Sequence, residues 1–436
     1  MSWEGRRIHL IGIGGAGMSG LAWACHRLGA EVTGSDRSES SYVSRLRRAG
    51  IEIMVGHDAS NLPDLAEIVV STAIPGENPE LAAARERGLA VRHRSELLAE
   101  LCSARKAIAV AGTHGKTTTT GMLVHALREL GEDAGFFIGG ELPGAGPDGE
   151  PANSGWGEGD WVVVEADESD GSFLVLTPEI AVITNIEMDH HARWANLAEL
   201  RQAFLDFASK ASSAVIPEGD TDLATGLEGR RVPAVTGFSS TGPGPEQLDL
   251  AVPGEHNRLN ARAAIGALAA VGFAPDDSAR ALSTFTGVKR RQEFKGEFNG
   301  ARVYDDYAHH PTEVKAALSA LREFKPTRLI AAFEPHLYSR TKIFSQQFGL
   351  ALAEADEVLV LDVYPAREEP VGPLAGVSGL DVLREVADRS GGRTSFWAPD
   401  LDTAERILRT RAGDGVIIAT LGAGDITQLS DRLVSE

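Results

Sequence analysis

The chain has 436 residues, 43% of them hydrophobic and 24% charged. These proportions are ordinary for a folded globular protein and exclude a disordered or collagen-like chain. Acidic residues outnumber basic ones 62 to 42, a formal charge of −20, which disfavours nonspecific nucleic-acid or anionic-membrane binding but leaves room for local basic sites that take small anions.

At about 150 residues per domain the length predicts two to four domains, most simply three. Glycine is abundant, 48 residues in all, which suggests many tight turns and close approaches of backbone to ligand. The two cysteines, Cys25 and Cys102, form no CxxC pair, so no zinc or redox motif is present. Both sit in apolar helical surroundings and read as core thiols. The polar start, Met1 to Arg7, runs straight into a strand, and no apolar run reaches the roughly 18 residues of a membrane span. The expectation is a cytoplasmic protein.

Apolar strand-like runs alternate with helical patterns almost throughout. In chain order the runs include Ile8 to Ile13, Ile68 to Ser71, Ala107 to Ala111, Trp161 to Glu165, Ala181 to Asn185, Leu329 to Phe333, Val358 to Val363 and Val416 to Leu421. Such alternation predicts an α/β fold of parallel sheets covered by helices, and the continuous apolar runs fit strands buried on both faces. The Gly- and Pro-rich stretch from Leu142 to Asp160 reads as the most loop-like part of the chain. A strand followed by a Gly-rich turn occurs at Gly12 and again at Gly112, which places a first boundary near residue 104. A second boundary is expected around Gly287 to Arg291, before a fresh strand and helix. The predicted domains are 1–104, 105–286 and 287–436.

The first turn, Gly12-Ile13-Gly14-Gly15-Ala16-Gly17, joins a strand to a helix expected over Ser19 to Leu28, and Asp36 ends the next strand. This is the dinucleotide fingerprint, in which a helix N-terminus offers free N–H groups to a pyrophosphate. By itself it fits NAD, another diphosphate such as UDP, or a structural turn. The second turn, Gly112-Thr113-His114-Gly115-Lys116-Thr117-Thr118, is a short variant of the phosphate loop, with Val110 where the strict pattern has glycine. Its amides suit phosphates, Lys116 the terminal phosphates, and Thr117 magnesium. His114 fits either a ligand contact or a turn residue.

Four acids, Glu165, Asp167, Glu168 and Asp170, follow the strand Trp161 to Glu165. Acids at a strand end beside a phosphate loop suggest metal-bridged nucleotide chemistry, and Glu165, directly after the buried strand, is the best placed; a solvated charged turn is the alternative. Asp189 and His190 follow another strand and could complete a metal site with Glu165, or serve in capping or packing. His256 and Asn260, four apart, share a face of a helix starting near Gly254. Asp305 to Pro311 and Glu334 to Arg340 follow strands again, with Arg340 a candidate clamp for a carboxylate or phosphate.

Taken together and in this order, GIGGAGMSGLA at 12–22, AGTHGKTTT at 111–119, EADESDGSF at 165–173, EHNRLNA at 255–261, GVKRR at 287–291 and DDYAHHPTEV at 305–314 resemble the Mur ligase family over essentially the whole chain. The Gly-rich start and DDYAHHPTEV point to its alanine-adding branch. The resemblance implies three domains: a Rossmann-like N-terminal domain, a central P-loop ATPase domain and a Rossmann-like C-terminal domain. It also replaces NAD by a UDP sugar at the first turn.

The implied activity is ATP- and Mg2+-dependent joining of L-alanine to the lactyl carboxylate of UDP-N-acetylmuramate through an acyl phosphate, a step of peptidoglycan precursor synthesis. The alternative within the family is a recycling ligase that joins a murein tripeptide to the same sugar nucleotide. An NAD-dependent oxidoreductase would leave the second turn and the Glu165 cluster unexplained. No nucleic-acid or membrane partner is implied, and the chain is expected to be a monomer or homodimer.

Carried over residue by residue, Gly12, Gly14, Gly15, Gly17, Ser35, Asp36 and Ser71 match UDP-sugar positions. Gly112, Thr113, His114, Gly115, Lys116, Thr117 and Thr118 form the ATP loop. Thr117 and Glu165 match ligands of magnesium, and His190 a ligand of a second magnesium. His256 and Asn260 match adenine contacts, Arg291 and Asp306 match C-terminal-domain positions that reach ATP, and Tyr307 and Arg340 lie near the amino acid. Lys116, Glu165, His190 and Arg340 are the implied catalytic set. Leu337 stands where the family often has arginine, and Ala192 where it often has an acid.

Overall fold

The computed structural model of the chain describes residues 2–146, 148–189, 193–242, 245–366, 368–389 and 391–435. Their contacts divide into two compact units, Met1–Asp249 with Leu259–Phe285, and Leu250–Arg258 with Thr286–Glu436. Three separate sheets carry the architecture.

The first sheet is built from β1 (Arg7–Ile11), α1 (Ala16–Arg27), β2 (Glu31–Asp36), α2 (Ser41–Arg48), β3 (Glu52–Val55), β4 (Glu67–Val70), α3 (Pro79–Glu86), β5 (Val91–His93) and α4 (Arg94–Ser103). Its order is β3-β2-β1-β4-β5, with every pair parallel. Strand order reverses beside β1, so the crevice at the strand ends opens there. Ile8, Leu10 and Ile11 are fully buried, as a strand covered on both faces requires. The strand stops two residues before the expected Ile13, because Gly12 turns the chain at φ +78°. α1 then begins at Ala16, three residues earlier than Ser19, directly after its N-cap Gly15.

The second sheet follows with β6 (Lys106–Ala111), α5 (Lys116–Glu129), β7 (Gly135–Leu142), β8 (Ala152–Gly155), β9 (Trp161–Glu165), β10 (Ile180–Ile183), α6 (Leu197–Ala208), β11 (Ser213–Pro217), α7 (Thr221–Gly229) and β12 (Ala234–Phe238), then α8 (Glu255–Val271) and α9 (Pro275–Leu282). The order is β12-β11-β10-β6-β9-β7-β8. The stretch 142–160, expected to be loop, contains β8, which pairs antiparallel with β7 at the sheet edge. Its sequence, Ala-Asn-Ser-Gly, has no apolar alternation, so tertiary pairing rather than propensity makes it a strand.

The third sheet comprises β13 (Glu293–Phe298), β14 (Ala301–Asp306), α10 (Pro311–Arg322), β15 (Arg328–Phe333), α11 (Tyr338–Leu352), β16 (Glu357–Leu361), α12 (Gly379–Arg389), β17 (Thr394–Ala398), α13 (Leu401–Arg411), β18 (Val416–Leu421) and α14 (Thr427–Val434). Its order is β13-β14-β18-β15-β16-β17. Here too the antiparallel member, β13, is an edge strand. The expected parallel sheets are therefore mixed at two edges, where a hairpin needs no crossover helix.

Cys25 and Cys102 are buried and free, and burial pushes both thiols up to about 12, as inert core residues. Among the described residues no helix is long and apolar enough to cross a membrane.

One carboxylate ties the first sheet together. Glu80, on the first turn of α3, is completely buried. It accepts from Ser35 Oγ at 2.5 Å, Asn61 Nδ2 at 2.6 Å and the Asp58 amide at 3.2 Å, and lies 3.6 Å from His9 Nε2. Burial works to raise its carboxyl, but the nearby His9 imidazole and the hydrogen bonds from Ser35 and Asn61 win and hold it down at about 2. A depressed acid stabilises the fold fully above its ordinary value of 4.5 and loses that contribution as pH falls toward 2. The shift corresponds to about 3 kcal/mol. Glu80→Gln should lower stability at pH 7 by about that amount and flatten the loss of stability in acid. Urea unfolding at pH 7 and at pH 3 checks both.

Candidate active site

The second turn is shaped by two glycines. Gly112 lies at φ +136°, and a Cβ there would come within 2.0 Å of Thr184 Oγ1. Gly115, the N-cap of α5, lies at φ +81°, and its Cβ would meet Asn260 Oδ1 at 2.4 Å. No side chain caps α5, so its first amides are open to an anion. The loop is pinned from the end of β10. Asn185 accepts the His114 amide at 3.0 Å through Oδ1 and donates from Nδ2 to the His114 carbonyl at 2.9 Å. Thr184 Oγ1 donates to the same carbonyl at 2.6 Å. Thr113 Oγ1 donates to the Glu187 carbonyl and accepts the Glu187 amide, each at 2.9 Å. His114 Nε2 lies 2.9 Å from the Glu187 carboxylate.

Lys116 lies within this loop. Its Nζ donates to the Gly112 carbonyl at 2.6 Å and the Thr113 carbonyl at 3.2 Å, and pairs with Glu168 at 2.9 Å. Burial opposes the charge on Lys116, but Glu168, Asp167 and Glu165 outweigh it, so the ammonium is held above its usual range and stays cationic. Burial pushes Glu168 up, the Lys116 charge pulls it down, and Asp167 adds to the rise. Thr117 Oγ1 donates to Glu165 at 3.0 Å, and the other Glu165 oxygen accepts the Gly139 amide at 2.7 Å. Thr118 is buried in the same helical turn. The structure therefore brings together Gly112 to Thr118, Glu165 and Asn260. His190 lies outside the described residues.

The first turn is held by its own acid. The Gly14 amide donates to Asp36 Oδ2 at 2.8 Å, and the Gly15 amide to the Gly12 carbonyl at 3.1 Å. A Cβ on Gly14 would fall 2.7 Å from Val43 and 2.9 Å from Asp36 Oδ2. No side chain caps α1, so its N-terminus, with Gly17 in the first turn, is a second anion position. Ser71 follows β4, where its hydroxyl accepts the Ala73 amide at 3.4 Å. Ser35, expected at the UDP sugar, lies behind the first turn. It is completely buried, and its hydroxyl donates to Glu80, so it shapes the site from behind.

In the second unit, Asp306 ends β14, buried, accepting the amides of Ala308 at 2.8 Å and Gln292 at 2.9 Å. Burial raises it to about 6, against the pull of Arg291. The Tyr307 ring lies 4.9 Å from the Arg290 guanidinium and 5.3 Å from that of Arg291. Arg340, on the first turn of α11, is buried and donates to His336 Nδ1 at 3.3 Å. Burial and the Arg340 charge lower His336 to about 4, which leaves it neutral and able to accept. His256, at the start of α8, is lowered to about 4, chiefly by burial. Leu337 has φ +70°, a conformation leucine rarely adopts, with its amide donating to the Tyr364 carbonyl at 2.9 Å. Glu334, raised by burial to about 7, lies at the end of β15.

Sequence reasoning underrated two residues beside the phosphate loop, Glu168, which pairs with Lys116, and Asn185, which pins His114. Glu168 appeared only as one acid among four, and Asn185 only as a member of a strand-end motif. Their signal was position, each just past a buried strand beside the phosphate loop. Glu80 gave no signal, because a buried acid in a helical first turn looks like an ordinary dipole partner.

The loop geometry predicts that Gly115→Ala, strained at its positive φ and colliding with Asn260, weakens nucleotide binding at least about tenfold, roughly 1.4 kcal/mol. Titration with ADP would check this; unchanged affinity would mean that the loop tolerates a different path.

Residues 7–106 match the Mur ligase family, catalytic domain; residues 110–244 the Mur ligase middle domain; and residues 290–424 the Mur ligase, glutamate ligase domain. The chain is 44% identical to a UDP-N-acetylmuramate–L-alanine ligase of Kineococcus radiotolerans, over 98% of this chain and 96% of that protein. It is 42% identical to the enzyme of the same name from Rubrobacter xylanophilus, over 98% and 99%. Among solved structures it resembles a UDP-N-acetylmuramate–alanine ligase from Thermotoga maritima, with TM-score 0.79, 29% identity and 98% of each chain covered. A murein peptide ligase from Psychrobacter arcticus matches with TM-score 0.68 and 26% identity, again over 98% of each chain. The chain belongs to the Mur ligase family.

Proposed function

We propose that this protein is an ATP-dependent ligase that joins L-alanine to the lactyl carboxylate of UDP-N-acetylmuramate, with ADP and phosphate as the other products. One observation carries the ATP half of this reading: Lys116 lies charged inside a loop shaped by Gly112 and Gly115, with Glu165 bonded to Thr117 beside it. The near full-length relatives at 42–44% identity support the choice of substrates.

Residues 1–104 take the UDP sugar, 105–286 the ATP, and 287–436 the amino acid. The first amides of α1, those of Ala16 and Gly17, face the diphosphate where Gly12, Gly14 and Gly15 let the backbone approach, with Asp36 placed for the ribose and Ser71 at the neighbouring strand end. His256 and Asn260 contact adenine, and Arg291 and Asp306 reach the nucleotide. Arg340 takes the alanine carboxylate beside Tyr307. An acidic protein with no membrane-spanning helix among its described residues suits soluble cytoplasmic substrates.

A carboxylate anion is unreactive toward an amine until one oxygen becomes part of a leaving group. A carboxylate oxygen of the sugar attacks the γ-phosphorus of ATP, and the bond to the ADP oxygen breaks. The neutral amine of L-alanine then attacks the acyl carbon. The tetrahedral intermediate collapses, and phosphate leaves with the electron pair of the C–O bond. Lys116 stabilises the charge on the transferring phosphoryl group, and the loop amides hold the phosphates in line. To do so Lys116 must leave the Gly112 and Thr113 carbonyls for phosphate oxygens, a move its permanent charge favours.

Magnesium suits the oxygen donors at this place. Thr117 and Glu165 would hold one ion and His190 a second, and the ions would neutralise phosphate charge.

The test is phosphate release from ATP with magnesium and UDP-N-acetylmuramate. Release should require L-alanine and give a product heavier by one alanyl residue. Release with the murein tripeptide in place of alanine would move the protein to the recycling branch. Lys116→Ala should lower kcat by about a hundredfold or more, since its contact strengthens in the transition state; retained turnover would count against that role.

A further inference from the structure

The first turn and the phosphate loop belong to different sheets, one around β1 and one around β6. Attack by an oxygen bound at one on a phosphorus bound at the other needs the reacting atoms about 3–3.5 Å apart. Some element must therefore fix the start of α1 against the phosphate loop. The β7–β8 hairpin touches both.

At one end the hairpin holds the acid beside Thr117. The pairing of β7 with β8 is interrupted between Phe137 and Leu142. The Gly139 amide lies in that gap and donates to Glu165 at 2.7 Å. Three residues on, Leu142 pairs with Ala152. The next residue is Asn153, only 4% exposed, and its Nδ2 donates to the Ala16 carbonyl at 2.7 Å. A carbonyl only accepts, so its partner assigns the orientation of the Asn153 amide. Ala16 is the first residue of α1, at the anion position of the first turn. Three strand residues span about 10 Å, so the path from Glu165 to α1 is short and runs along paired backbone.

The helix lies directly on this hairpin. A Cβ at Gly20 of α1 would fall 2.8 Å from Ser154 Cβ and 3.4 Å from Phe137 Cδ1. Glu141 of β7 adds an ion pair to α2, 3.7 Å from Arg45. An asparagine buried on a four-residue edge strand gives up solvation for one directional bond, which fixes angle as well as distance.

Resting on the ligase reading, we propose that Asn153 is a positioning residue for the reaction. Through it the β7–β8 hairpin sets the sugar nucleotide on α1 at the right distance from the phosphates beside Glu165, and so places the lactyl carboxylate for its attack on the γ-phosphorus. Gly20 serves the same end by letting α1 and β8 meet. The Ala16 carbonyl also accepts Ser19 Oγ at 3.0 Å. Asn153→Ala therefore breaks the link without leaving that carbonyl unmet.

The experiment compares kcat for phosphate release, at saturating ATP, UDP-N-acetylmuramate and L-alanine, with separate titrations of ADP and UDP. Asn153→Ala should lower kcat at least about tenfold, since small misplacements of reacting groups are costly, while the affinities for ADP and for UDP each stay within about twofold. Gly20→Ala, which pushes α1 off the hairpin, should show the same split. Adding Ser154→Gly, which removes the colliding atoms, should restore kcat to within about threefold of wild type. A merely structural role would weaken ADP and UDP binding together with kcat, and that result overturns the proposal. So does a kcat for Asn153→Ala within about twofold of wild type, or a Gly20→Ala defect that Ser154→Gly leaves unchanged. Wild-type protein that releases no phosphate with these substrates would overturn the ligase reading itself, and this inference with it.

Discussion

Phosphate chemistry at this site depends on keeping one ammonium charged in a place that would otherwise neutralise it. Lys116 is buried, and burial by itself favours the neutral amine. Three carboxylates, Glu168, Asp167 and Glu165, reverse that preference. Two of them sit on the short stretch after β9 and the third ends that strand, so the strand's register beside β6 sets the field at the lysine. The loop around Lys116 is equally constrained. Asn185 and Thr184 hold the His114 carbonyl and amide from β10, the strand on the other side of β6. Strands flanking β6 on both sides thus supply the charge balance and the loop shape, and the glycines only make the path sterically possible.

The first sheet solves a related problem with the opposite sign. Its buried charge is an anion, Glu80, satisfied by hydroxyl, amide and side-chain amide donors with histidines close by. Those donors come from β2, from the segment between β3 and β4, and from β1, so one carboxylate joins the ends of several strands. In both sheets a buried ionised group carries structural information that an apolar contact could not, since hydrogen bonds fix direction as well as distance.

Much of this was legible in the sequence, and the reasons are local. The turns at Gly12 and Gly112 follow continuous apolar runs and precede helical periodicity, so strand, turn and helix were each specified by their own residues. Asp36, Glu165, Thr117 and Lys116 lie within a few residues of those turns or of a buried strand end. β8 was not legible, because Ala152 to Gly155 has no strand pattern and owes its conformation to β7. The start of α1 was misplaced because an uncapped helix opening on Gly15 gives no capping signal. That the Ser35 hydroxyl donates to Glu80, 45 residues on, was likewise not legible from the sequence.

The order of strands, glycine turns and strand-end acids was determined by the sequence itself, because periodicity and backbone permissiveness act over a few residues. So was the family, since its motifs recur in order along the whole chain. Only the tertiary structure decided which acids face Lys116 and that Ser35 serves Glu80. Those outcomes depend on groups up to 52 residues apart meeting within hydrogen-bond distance, as Lys116 and Glu168 do. Local sequence carries no record of such distances; the registers of adjacent strands set them.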